Sequence, residues 1–93
     1  MVQVIENWSE LLGQVEDVSG AGDDTVDVEV RVAAVEPVPG FANLLGETAG
    51  STIRVTLSLE GAPPPRRGDE LRVRVRKAGP GRYFARPAAR EGG

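Results

Sequence analysis

The chain has 93 residues, enough for one small domain with a single modest core. Its apolar content of 40% and charged content of 27% are those of an ordinary folded protein. It contains no cysteine and no histidine, which excludes disulfides, thiolate chemistry and cysteine zinc sites and removes the commonest general base and metal ligand.

The N-terminal MVQVIENWSELL is acidic and lacks the basic region and apolar run of a signal peptide. No stretch of the chain approaches the roughly 20 apolar residues of a membrane helix, so a cytoplasmic protein is expected. Ten of the eleven basic residues are arginine, a leaning that fits a GC-rich bacterium. Asn7 or Ser9 could cap one helical turn, but SELLGQVEDV reads better as a strand from Leu11 to Val18. Gly13 within it predicts a bulge or tight bend. Ser19–Asp24 (SGAGDD) is a turn, rich in residues that tolerate positive φ.

In TVDVEVRVAAV, Val26, Val28, Val30 and Val32 alternate with Asp27, Glu29 and Arg31, the period of a half-buried strand. The phase slips at Ala33–Val35, predicting a bulge or the strand's end, and Pro37 and Pro39 argue against continued central pairing. Residues 36–52 form a connection too long to be empty. Within it Phe41, Leu44 and Leu45 are apolar at helical spacing and read either as a short cap on the core or as an exposed apolar contact.

STIRVTLSLEG is the next strand, with Ile53, Val55, Leu57 and Leu59 on one face and Arg54, Thr56, Ser58 and Glu60 on the other. Ala62–Gly68 (APPPRRG) is a stiff extended spacer. In GDELRVRV, Leu71, Val73 and Val75 face the core while Arg72, Arg74 and Arg76 face away. Lys77–Arg82 (KAGPGR) is a turn, and Tyr83–Arg86 a short last strand with Tyr83 and Phe84 on opposite faces. Residues 88–93 are expected to fray.

Five short strands without an ordinary amphipathic helix predict an all-β sandwich or small barrel in a single domain spanning 1–93, and the short length favours the barrel because closure removes exposed edges. The order of elements, with Gly13 in the first strand and the Gly68–Val75 segment as a Gly-Asp turn before alternating valines, resembles the OB-fold, a five-stranded Greek-key barrel; a Gly-Asp before a strand is also found in SH3-like barrels. The helix usual between the third and fourth strands is replaced by the proline-rich Ala62–Gly68.

The resemblance implies a binding face on the second and third strands, flanked by the first and fourth loops. Here those positions carry Asp23, Asp24, Asp27, Glu29, Arg31, Arg54, Thr56 and Ser58. They offer no aromatic platform, and four carboxylates would repel phosphates.

The positive charge lies elsewhere. Residues 1–65 hold two basic residues against eleven acidic, net −9, whereas residues 66–93 hold nine against three, net +6. Such polarity fits a surface for an acidic partner or for phosphates. It fits equally well internal pairing with carboxylates such as Asp27 and Glu29, or head-to-tail association of chains.

No catalytic constellation stands out. Asp23–Asp24 lacks the ordered oxygen spacing of a calcium loop, and the glycine turns lack the features of a phosphate loop. Trp8 reads as a core residue. The expected protein is therefore a non-catalytic interaction module without cofactor or metal. Arg72, Arg74, Arg76, Lys77 and Arg82 supply its electrostatic face, and Phe41, Leu44 and Leu45 its apolar contact. Its partner is expected to be a protein or a second copy. The alternative is sequence-tolerant binding of single-stranded nucleic acid through the same arginines with Tyr83 as a stacking residue.

Overall fold

Alternation of valine with charged side chains gives each strand one apolar face, and that face is stable only if the sheet closes over it. The computed structural model describes residues 7–87, and in it five strands do close. They are β1 (Ser9–Ala21), β2 (Thr25–Pro37), β3 (Thr52–Ser58), β4 (Glu70–Gly79) and β5 (Arg82–Pro87), joined in a closed barrel in the order β1-β2-β3-β5-β4. All neighbours run antiparallel except β3 and β5, which are parallel. This is the small OB-fold-like barrel that the sequence predicts. Among the described residues the only helical element is a 3-10 turn at Gly46–Thr48, and none lies between β3 and β4.

The core is aliphatic and rich in valine. Leu11, Val15, Val28, Val30, Val32, Val55, Val73 and Val75 are essentially inaccessible to solvent. Each buried valine contributes about 1.5–3 kcal/mol relative to exposure. Half-buried Ile53, Leu59, Leu71 and Tyr83 pack around this cluster.

β1 is longer than the sequence predicts, and its length is what closes the barrel. Ser9 to Gln14 pair with β4 on one edge, while the whole strand pairs with β2 on the other. Such a strand must coil, and it does so through irregularities at Leu12/Gly13, Val15/Asp17 and Ser19/Ala21. At the first of these Leu12 pairs with Ala34 and Gly13 with Val32, which leaves Ala33 as the extra residue. The slip at Ala33–Val35 is thus a bulge and not the end of β2. Gly13 is required there: a Cβ would lie 2.5 Å from the Arg31 carbonyl oxygen and 2.6 Å from Val30 Cγ1. β2 also continues to Pro37, paired with Ser9, because proline is tolerated at the end of a strand.

The Gly-Asp turn before β4 ties the proline-rich spacer to β1. The Val15 amide donates to the Asp69 carbonyl at 2.9 Å and the Gly68 amide to the Val15 carbonyl at 2.8 Å, with Gly68 at φ 92°. At the other end, Asn7 extends the sheet with its side chain. Its Nδ2 donates to the Lys77 carbonyl at 3.1 Å, and its Oδ1 accepts from the Lys77 amide at 2.8 Å. The helical turn considered at Asn7 or Ser9 does not form, because these residues are already committed to the sheet. The fraying expected of residues 88–93 lies outside the described residues.

Candidate functional site

β4 and β5 form a hairpin whose outward positions are nearly all arginine. On β4, Val73 and Val75 point inward, so Arg72, Arg74 and Arg76 point outward. On β5, Ala85 points inward, so Arg82, Phe84 and Arg86 point outward. The register sets Arg74 opposite Arg86 and Arg76 opposite Phe84. The same face continues onto the start of β1, where Glu10 lies opposite Arg74 and Leu12 opposite Arg72. Repetition at i and i+2 places successive guanidinium stems about 6.8 Å apart along a strand and about 4.8 Å from those on its neighbour.

Little neutralises this face from within. Among the described residues two ion pairs form, Arg72 with Glu10 and Arg54 with Glu29. Only the first touches the arginine face. Arg74, half-buried between Glu10 and Arg86, has a buried Nε with no hydrogen-bond partner among the described residues.

The internal pairing considered for Asp27 and Glu29 does occur, but with β3. Glu29 accepts from Arg54 at 3.1 Å and Asp27 from the Thr56 hydroxyl at 3.0 Å. β2 is not a neighbour of β4 in the barrel. Around the outer surface the charge therefore changes sign from acidic β2, across the hydroxyls of β3, to basic β5 and β4.

Two aromatic rings belong to the arginine face. The Arg86 guanidinium carbon sits 4.7 Å from the centroid of Trp8, and that of Arg76 sits 5.7 Å from the centroid of Phe84. At these distances the ring quadrupole attracts the cation, so each stack fixes the direction of a long and otherwise mobile side chain.

Trp8 is half-buried outside the core cluster, which corrects its reading as a core residue. Tyr83 lies on the inward side of β5 and packs against the core. Of the two β5 aromatics it is Phe84 that lies on the arginine face, and Tyr83 is not placed to stack on a ligand there. The alternation held the signal: Phe84 is in phase with Arg82 and Arg86.

Three other expected contact residues are placed differently from one another. Leu45 is 0% exposed and belongs to the core, so it cannot touch a partner. It fills the barrel end beside the 3-10 turn, where its carbonyl accepts the Thr48 hydroxyl at 2.7 Å. Phe41 and Leu44 are 37% and 48% exposed. Leu44 lines a groove of about 730 Å³ with Asn7, Asn43, Lys77 and Pro80, which sets it beside the tip of the arginine hairpin. Lys77 is in phase with Val75 and opposite Tyr83. It therefore belongs to this barrel end and not to the arginine face, and the turn after it is shorter than KAGPGR, since β4 runs on to Gly79.

The surface of β2 and β3 forms a cleft of about 230 Å³ with the β4–β5 turn, lined by Asp27, Arg54, Thr56, Arg82, Tyr83 and Phe84. Within it the Thr56 hydroxyl donates to Asp27, and Arg54 donates to Glu29 beside it. Among the described residues no three carboxylates converge as a metal-binding group, and no helix is long and apolar enough to cross a membrane. Comparison with protein-family models finds no match, and comparisons with curated proteins and solved structures find no significant one.

Proposed function

We propose that this chain is a non-catalytic interaction module that binds an acidic protein surface through the outer face of the β4–β5 hairpin. The observation that carries this reading is the set of five outward arginines, Arg72, Arg74, Arg76, Arg82 and Arg86, of which Arg72 alone is ion-paired among the described residues. Guanidinium groups suit bidentate pairing with carboxylates. An extended acidic segment presents its carboxylates at the same two-residue repeat as the arginines. Leu44 adds an apolar contact at the hairpin's tip.

A fluorescein-labelled glutamate peptide titrated at low salt tests this reading. Arg76→Glu/Arg82→Glu replaces two exposed arginines and is expected to weaken binding at least about tenfold, or about 1.4 kcal/mol. A folded variant that binds as well as the wild type overturns the role of the face.

Trp8 and Phe84 favour a second reading, sequence-tolerant binding of single-stranded nucleic acid, since such sites combine arginines with aromatic platforms. It ranks below the first because each ring is already stacked by an arginine and because acidic β2 lies across β3 from the same surface. It predicts a steep loss of affinity with salt and a further loss in Trp8→Leu/Phe84→Leu.

A further inference from the structure

We propose that the acidic partner of the arginine face is a second copy of this chain, and that copies associate head to tail with the β1–β2 hairpin of one on the β4–β5 hairpin of the next. This rests on the reading of the arginine face as a protein-binding surface.

The two hairpins are matched in length and opposite in charge. Residues 14–30 carry Glu16, Asp17, Asp23, Asp24, Asp27 and Glu29 and no basic residue; residues 71–87 carry Arg72, Arg74, Arg76, Lys77, Arg82 and Arg86 and no acidic residue. Among the described residues no ion pair joins these two segments within one molecule, although Asp27 and Arg82 line the same cleft. The ladder between β1 and β4 ends at Gln14 opposite Glu70, before the first carboxylate of the acidic segment. Beyond it the Gly68–Asp69 turn binds Val15, and β1 continues with β2 alone.

Several of the acidic carboxylates are oriented by neutral donors and not by cations. Asp27 is held by a hydroxyl, and Asp24 accepts the amides of Glu60 and Gly61 at 3.1 and 3.3 Å. Among the described residues only Arg54, on Glu29, brings a compensating cation. Asp27 and Glu29 repeat at the two-residue spacing of Arg74 and Arg76, so strand can meet strand in register. Among the described residues Glu16 to Gly20 also have no strand beside them on the edge of β1 away from β2, which leaves this part of the hairpin open to a neighbouring molecule. The contacting surfaces differ, so the contact is heterologous and propagates unless its rotation closes a ring.

Sedimentation velocity across a dilution series tests the proposal. Wild type is expected to associate at about 20 mM salt and to dissociate at about 500 mM, where screening acts within about 4 Å. Two variants make the test specific. Arg76→Glu/Arg82→Glu retains the acidic hairpin, and Asp17→Lys/Asp23→Lys retains the arginine face. Each alone is expected to be monomeric, and their mixture to restore association, because the acidic hairpin of the first variant meets the intact arginine face of the second. Circular dichroism establishes that both fold; should either fail, the single substitutions Arg82→Glu and Asp23→Lys, at exposed positions, take their place.

A wild type that stays monomeric at low salt, or a mixture that forms no complex, overturns self-association. The labelled glutamate peptide separates that result from failure of the face itself. Arginine-dependent peptide binding by a monomeric wild type leaves the face intact with a different acidic partner; absence of both overturns both.

Discussion

Gly13 shows how one residue without a side chain sets the path of a strand. It lies where β1 leaves straight pairing, and its α-carbon approaches the Arg31 carbonyl too closely for any Cβ. Gly13→Val is therefore expected to cost at least about 1–3 kcal/mol through forced displacement of β2, read as a lower urea midpoint. The neighbouring pair Tyr83 and Phe84 separates stability from binding. Tyr83 packs on the core, so Tyr83→Ala is expected to destabilise by about 2 kcal/mol or more and to leave peptide affinity per folded molecule nearly unchanged. Phe84 supports Arg76 from outside, so Phe84→Ala is expected to cost less stability and to weaken peptide binding. Thermal melts and peptide titrations on the two variants check both assignments. The reverse pattern would place Tyr83 on the binding face.

At the scale of elements, alternation made much of the barrel legible. The inward valines of β2, β3 and β4 appear at the positions their spacing predicts, because period-2 patterning leaves no other way to bury them together. The bulges at Gly13 and Ala33 left a glycine and a phase slip as their traces. The ends of strands were less legible. β1 begins as early as Ser9 because it pairs there with Val75 of β4, and local propensity carries no record of a partner so distant in sequence; the extensions to Ala21 and Gly79 pair instead across their own hairpins.

The same limit governs the candidate site. The outward arginines followed from alternation, as did Phe84 once its phase with Arg82 is followed. The burial of Leu45 did not, since a helical spacing of three apolar residues cannot tell which one the barrel end will accept. Nor did the half-burial of Trp8, which lies just before the start of β1. One consequence belongs to this scale. Among the described residues, amides of Glu16–Gly20 that point away from β2 have no strand to receive them, whereas those of Ser9–Gln14 face β4. Hydrogen exchange is expected to be faster in the former set. Equal protection along all of β1 would mean that its distal edge is already covered, and loss of that protection on dilution would identify the cover as another copy.

For the molecule as a whole, a net charge of −3 describes a separation of charge more than an excess. The barrel order keeps acidic β2 and basic β4 apart, with β1 on one side and β3 and β5 on the other. A molecule so divided orients an approaching partner before contact, and its association is governed by ionic strength. Salt dependence alone does not separate a carboxylate partner from a phosphate one, since both attract arginine.

The most direct measurement is therefore a pair of equilibrium titrations by fluorescence anisotropy, one with the glutamate peptide and one with single-stranded DNA of equal charge. Both are made at two salt concentrations on the wild type, Arg76→Glu/Arg82→Glu and Trp8→Leu/Phe84→Leu. The proposed role of the face predicts that the wild type binds the peptide at least as tightly as the DNA, and that reversal of the arginines abolishes peptide binding. DNA bound more than about tenfold more tightly, with that preference lost in the aromatic variant, would contradict it and assign the face to nucleic acid.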